Sequence, residues 1–452
     1  MGRATKRNVS GLGHLNGHGV TWIVGAFFSL LVLVFPLSDC RAEEYTFEIS
    51  EIEKKPYHLG GYAEINPILF GLDRDASLYK LRFFNRDEGS TIEQYDTTLQ
   101  LDGSYEKGIA RVFGRTNSTL TYNYQGWTGK TTLYEGFLSL KPSSSLTVDA
   151  GKKTMKWGKG YAWNPVAFLD RPKDPDDPTV ALEGFFVTSL DYIRSFDGLL
   201  KTFSFTPSLV PVYGDMNEEF GEAHHLNLAA KFYFLFLDTD IDFIFLSGGS
   251  KTPRYGFDFS RNITSNLEIH GELAWIKDLQ KSLIDRDGNL FQTKSDVWSY
   301  LVGIRYLSTR ETTYILEYYR NGTGCTEEEM RDYFFFVEKG YDTFLTTGSD
   351  VLFRKAQSLA EGRYGGMAPM RDYLYLRISQ KEPFDILYFT PAVTWIVNAN
   401  DRSFSVSPEL LYTGFTNLEL RLKSTFLAGG EFSEFGEKQN NYRMELRARY
   451  YF

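Results

Sequence analysis

From about residue 57 to the end of the chain, apolar and polar positions alternate one for one. Segment 267–275 sets Leu267, Ile269, Leu273 and Trp275 against Glu268, His270 and Glu272. Segment 417–426 sets Leu418, Leu420 and Leu422 against Glu419, Arg421 and Lys423, and 94–105 sets Tyr95, Leu99, Leu101 and Tyr105 against Asp96, Gln100 and Asp102. Successive side chains of a strand point to opposite faces, so each run has one greasy face and one polar or ionic face. The pattern predicts eighteen strands, at 57–67, 91–105, 108–121, 131–141, 144–155, 182–194, 198–208, 225–236, 239–247, 253–262, 265–277, 294–307, 311–321, 372–380, 386–397, 402–413, 416–428 and 440–452. Segment 78–84 (LYKLRFF) reads as a further strand, so the expected number runs from 16 to 20.

Soluble sandwiches also alternate, but over cores of roughly 100–150 residues. Here the rhythm persists over nearly the whole chain without a linker. An ionic face cannot lie in a dry core without partners, whereas it can face water inside a barrel whose outer face meets lipid. The expected fold is therefore all-β: a transmembrane antiparallel up-and-down barrel of about 18 strands. Its connections alternate in length, short ones such as Asp238 and Gly414-Phe415 against long ones at 68–90, 156–181, 209–224, 278–293, 322–371 and 429–439. Short turns at one end and long extracellular loops at the other are what such barrels show.

The last strand carries the most specific signal. Tyr442, Met444, Leu446, Ala448, Tyr450 and Phe452 share one parity; Arg443, Glu445, Arg447 and Arg449 share the other. An ending of this kind resembles the closing strand of bacterial outer-membrane β-barrel proteins, porin-like in type. The resemblance implies placement in the Gram-negative outer membrane, with the bilayer and its lipopolysaccharide as surroundings. It also implies that the assembly machinery reads the strand ending at Phe452; porins are often homo-oligomers, and for this barrel monomer and homo-oligomer are both open.

The start of the chain fits that destination. Arg3, Lys6 and Arg7 precede an apolar stretch at 20–37, and the small residues Cys40 and Ala42 precede Glu43, which predicts a signal peptide over 1–42 and a barrel over 43–452. An uncleaved anchor, or a lipoprotein box at 37–40, is the alternative reading. Cleavage removes four basic residues and one acidic one from a chain whose formal charge is already −9. A nucleic-acid ligand would want a basic surface instead. The 37 Phe, 29 Tyr and 7 Trp sit in a chain of mean hydropathy −0.31, which excludes a bundle of transmembrane helices.

Two loops bear on function. Residues 156–178 hold four prolines, the cations Lys156, Lys159, Arg171 and Lys173, and the anions Asp170, Asp174, Asp176 and Asp177. Prolines fix its shape, and Trp157, Tyr161, Trp163 and Phe168 need a surface to pack on. Folding inward gives a charged pore constriction; packing outward gives a lid. In the insert 322–371, Thr326 and Glu329 form a capping-box pattern opening a helix at 327–339, and a second helix is expected from about 350 to 361, stopped by Gly362. This pair would plug the barrel, cap it or dock a partner.

Chemistry is sparse. No nucleophile elbow, zinc-protease, haem-attachment or P-loop motif occurs. His270 with Asp240 or Asp242 is the nearest approach to an acid–base cluster, and the aspartate-rich end of 156–178 is spoiled as a Ca²⁺ cage by Arg171 and Lys173. No enzyme, metal or cofactor is expected. The expected function is a porin-like channel for small polar or charged solutes. Its lumen would be lined by Arg421, Lys423, Arg443, Arg447 and Arg449, broken by Glu419 and Glu445, with Asp96, Asp102, Glu268 and Glu272 on other walls. A sheath around an electron-transfer cytochrome, or a gated exporter or receptor for a larger ligand, are the alternatives.

Overall fold

The computed structural model describes residues 55–86 and 88–452, so the signal peptide expected at 1–42 lies outside the described residues. Each period-two run becomes a strand. In chain order these are β1 (Tyr57–Leu72), β2 (Thr91–Lys107), β3 (Ala110–Asn123), β4 (Gly126–Ser143), β5 (Leu146–Lys153) and β6 (Phe185–Ser195). There follow β7 (Leu200–Val212), β8 (His225–Phe236), β9 (Thr239–Leu246), β10 (Arg254–Thr264), β11 (Leu267–Ile284) and β12 (Leu290–Leu307). The last six are β13 (Thr312–Arg320), β14 (Asp372–Gln380), β15 (Phe389–Asn398), β16 (Phe404–Phe415), β17 (Leu418–Ala428) and β18 (Asn440–Tyr451).

Every strand pairs antiparallel with its sequence neighbours, and β18 pairs with β1 in the register Glu64↔Arg449 and Ile65↔Ala448. The sheet is thus closed, which satisfies every edge and permits a lipid-facing exterior. Outward positions are bulky and apolar: Phe232, Phe243, Trp298, Leu422 and Leu446 all stand exposed. The rings of Tyr255, Trp275 and Trp298 stack on adjacent strands at 5.1 and 5.7 Å. Inward positions are polar and mostly buried, among them Asn117, Asp242, Asp258, Glu317, Arg421 and Lys423. Among the described residues no helix is long and apolar enough to cross a membrane.

Three departures from the sequence reading stand out. Residues 78–84 are not a strand; helix α1 (Ser77–Phe83) occupies them. It is buried on two sides, Tyr79 and Phe83 in one apolar cluster and Leu81, with Leu78 and Phe84, in another, and burial on both sides imitates a strand's alternation. The connection expected at 278–293 is mostly strand, because β11 and β12 run on as a hairpin to a turn at 285–289. In the insert, the Thr326–Glu329 capping box opens helix α2 (Glu327–Thr347), which runs past Lys339 until Gly348 takes a left-handed φ of 74°. Helix α3 (Val351–Leu359) ends before Gly362, in a widened turn at Ala360–Tyr364.

The insert lies across the long-loop end as a cap. Lys80 reaches Glu338 at 2.8 Å, Arg286 reaches Asp332 at 2.6 Å, and Lys339 reaches Asp287 at 3.0 Å. The rings of Phe84 and Phe353 stack at 4.9 Å, and Phe335 meets Phe432 at 4.3 Å. Cys325 is fully buried beside α2, and burial pushes its thiol up to about 11, which leaves it unreactive.

Candidate functional site

The connection from β5 to β6, residues 154–184, turns inward. Its aromatic residues decide this: Trp157, Trp163 and Phe168 are buried, Trp157 and Phe168 beside Val187, Val210 and Ile244, and Trp163 against Tyr319, Tyr373 and Tyr375 of the far wall. Backbone groups bind next. Glu272 of β11 accepts from the N–H groups of Lys159 and Gly160, both at 2.6 Å, from Val166 at 3.2 Å, and from Asn164 Nδ2 at 2.9 Å. Glu317 of β13 accepts from the N–H of Ala162 at 2.9 Å and from that of Tyr161. Buried carboxylates that would be costly alone are thereby satisfied by donors the loop would otherwise leave orphaned. Gly158 sits at φ 94°, and a Cβ on Gly160 would stand 2.0 Å from the Trp163 carbonyl oxygen, so this turn accepts only glycines.

The acidic end of the loop reaches the wall built by β16, β17 and β18. Asp176 meets Lys423 at 2.6 Å, Arg443 at 2.8 Å and Ser407 Oγ at 2.9 Å. Asp177 meets Arg421 at 2.5 Å and Arg447 at 3.2 Å. Burial pushes the Asp177 carboxyl up, but Arg421 and Arg447 outweigh it and hold the group at about 2; Lys423 and Arg443 likewise hold Asp176 below the usual carboxylate range. The loop thus spans the lumen from its root to two other sectors of wall. On β2 and β3, Thr119 bonds with Thr98 and Asn117, and Thr121 with Asp96.

Several solved structures resemble this one in fold. A BenF-like porin from Pseudomonas fluorescens Pf-5 matches with a TM-score of 0.52 at 10% identity, over 88% of this chain and 98% of that one. Pseudomonas aeruginosa OccK11 (OpdR) matches with 0.50 at 12% identity, over 87% and 95%, and P. aeruginosa OpdQ with 0.50 at 11% identity, over 88% and 97%. By fold this is a porin-type barrel. No protein-family model and no curated protein matches the sequence.

Within the porin-type frame the nominated residues separate into groups. Asp176 and Asp177 converge with Arg421, Lys423, Arg443 and Arg447, so the basic stripe is not bare but is bridged by the loop. Glu445 lies 3.6 Å from Arg443, and Glu419 is 3.9 Å from Arg447. Arg449 pairs with Glu64 at 2.6 Å. Lys159 meets Asp242 at 2.9 Å, and although burial pulls its ammonium down, Asp242 and Asp258 hold it above its ordinary value.

Other charges of the loop serve the loop itself. Asp170 accepts from the N–H groups of Met155 and Trp157 at 2.7 and 3.0 Å, Asp174 accepts from Asp176 N at 2.9 Å, and Lys173 donates to the Gly160 carbonyl at 2.8 Å. Arg171 turns to Glu183 and Glu219, and Lys156 stands exposed at φ 56°. Glu272 is a loop anchor rather than bare lining. Asp96 bonds Thr121 at 2.6 Å, Asp102 faces His58 at 3.6 Å, and Glu268 lies 3.7 Å from His270. His270 does not meet Asp240 or Asp242; its Nε2 lies 2.9 Å from Glu317, inside the loop's anchorage. Sequence reasoning missed Glu317, Glu64 and Glu409, and it set Asp242 beside His270 where the fold sets it beside Lys159. Each has inward parity in its strand, but only closure of the barrel reveals what it faces.

Proposed function

We propose that this barrel is a porin-like channel of the bacterial outer membrane, passing small polar or charged solutes by diffusion. The observation that carries the reading is the loop 154–184, fixed across the lumen by Glu272 and Glu317 at one end and by the bridges of Asp176 and Asp177 at the other. A fixed loop inside an otherwise hydrated barrel narrows the pathway to molecules of small size and presents them with charge. The apolar outer belt and closed sheet favour lipid as the surrounding medium. A lumen crossed by its own loop has little room for a cytochrome, which weighs against the sheath. No catalytic constellation is needed for this activity.

Purified protein in a planar lipid bilayer tests the reading. Steady ohmic steps in KCl, blocked or biased by added organic ions, are expected. A silent bilayer with correctly folded protein, or haem co-purifying with it, would overturn the channel.

A further inference from the structure

Above the loop, at the long-loop end, Trp163, Asp170, Arg171, Lys173, Lys251 and Arg254 line a cavity of about 240 Å³. Its cations come from three places: the loop, the short connection between β9 and β10, and the first residue of β10. Arg254 forms no ion pair among the described residues, and its Nε is buried without a hydrogen-bond partner. Lys251 has no carboxylate partner either; its ammonium sits 3.8 Å over the Phe220 ring and 3.5 Å from the Phe168 carbonyl. The Trp163 indole N–H is buried and unpartnered too. The one carboxylate in the lining, Asp170, is already committed to the N–H groups of Met155 and Trp157. Donors are in excess and acceptors are spent. Buried polar groups are ordinarily satisfied, and a guanidinium nitrogen and an indole N–H left unpaired on two residues that line one cavity call for an acceptor from outside.

We infer that this cavity is an oxyanion-binding subsite on the outer side of the loop, formed by Arg254, Lys251 and the Trp163 N–H, and that it takes a phosphate or phosphate monoester. The inference rests on the channel reading for its role, a capture site before the constriction, but not for its chemistry. Three donors on separate elements suit a tetrahedral oxyanion, whose oxygens point away from one another; a planar carboxylate is satisfied by a single guanidinium fork. The site differs from the basic wall of β16–β18, where Asp176 and Asp177 already occupy the cations. Burial, with Arg254 and Arg171 close by, lowers the Lys251 ammonium to about 7, and an anion between these cations would raise it again.

Equilibrium binding of inorganic phosphate to the detergent-solubilised barrel, measured by calorimetry at pH 6.5, tests this without requiring conductance. Saturable binding at one site is expected, weakened at least tenfold in Arg254→Gln and in Lys251→Met and largely retained in Arg254→Lys. Acetate should bind at least tenfold more weakly than phosphate. Retention of heat-modifiable mobility on gels shows that each variant is folded. Absence of phosphate binding, or unchanged binding in both charge-removing variants, overturns the subsite. Equal binding of acetate overturns its preference for phosphate. Phosphate binding in a barrel that does not conduct would leave the subsite standing and remove the channel.

Discussion

Replacing Asp176 and Asp177 together by asparagine tests whether the acidic end of the loop lies on the conduction pathway. Asparagine keeps the shape but removes two negative charges from contact with Arg421, Lys423, Arg443 and Arg447. An ion passing about 6 Å from each site feels roughly 0.7 kcal/mol per unit charge in water, from Coulomb's law. Two such charges amount to about 1.4 kcal/mol for an anion and as much with the opposite sign for a cation, close to tenfold for each. The variant is therefore expected to shift the anion-to-cation permeability ratio toward anions by about tenfold to a hundredfold, read from the reversal potential across a KCl gradient. Removing one partner of a dry buried pair costs about 3–5 kcal/mol, so a lower unfolding temperature should accompany the shift, moderated by water in the lumen. A change of less than twofold in a folded barrel would show that solutes do not pass these carboxylates. Acid should act in the same direction. The Asp177 carboxyl, held at about 2 against an ordinary value of 3.8, contributes about 2 kcal/mol that is fully present above pH 3.8 and is lost as pH falls through 2. Anion preference should rise over that window in the native barrel, and by less in the variant, where only the other lumen carboxylates take up protons.

Gly160→Ala would place a methyl 2.0 Å from the Trp163 carbonyl oxygen, so the loop must shift away from Glu272. A loss of about 1–3 kcal/mol and noisier open-channel current are expected, and a silent substitution would show that the turn is not fixed. Trp163→Ala removes a ring stacked at 5.1 Å on Tyr319 that lines three cavities beside the loop. It should cost about 3–5 kcal/mol and raise single-channel conductance; unchanged conductance would place the pathway elsewhere. Glu434, in the connection 429–439, is raised to about 7 by burial, with Asp401 adding to the effect, although Tyr373 and Asn398 each donate to it at 2.7 Å. A carboxyl raised in the fold stabilises below its ordinary value of 4.5, and that contribution disappears as pH rises through 7. Hydrogen exchange across 429–439, corrected for intrinsic rates, should therefore quicken between pH 5.5 and 8.5, and should not in Glu434→Gln.

The wall of this molecule was legible in its sequence because a barrel strand meets two different solvents. Lipid selects Leu418, Leu420 and Leu422, water selects Glu419, Arg421 and Lys423, and the period of two survives at each step. Where an element meets protein on two sides, that signal fails. Helix α1 buries Tyr79 and Phe83 on one side and Leu81 on the other, which imitates a strand. The inward course of 154–184 was one of two readings because its aromatic residues announce burial without naming the surface they bury against. The partners are far away in sequence: Asp177 and Arg421 are 244 residues apart, and Gly160 and Glu272 are 112.

That separation also explains why the lumen's charge could not be read by summing the residues on its walls. Arg421, Lys423, Arg443, Arg447 and Arg449, taken along the strands, describe a cationic stripe. Taken in the closed barrel, four of them touch a carboxylate of the loop, and Arg449 is held by Glu64 across the β1–β18 seam. What a passing solute would meet is the balance left after this pairing, and it is uneven: the β16–β18 wall is largely neutralised, whereas Lys251 and Arg254 above the loop are not. Selectivity should therefore respond more to substitutions at these two uncompensated residues than to neutralising any single member of the bridged wall. Comparing Arg254→Gln with Arg443→Gln in the same bilayer decides the point. A larger effect from Arg443 would mean that the stripe, bridged or not, sets the field.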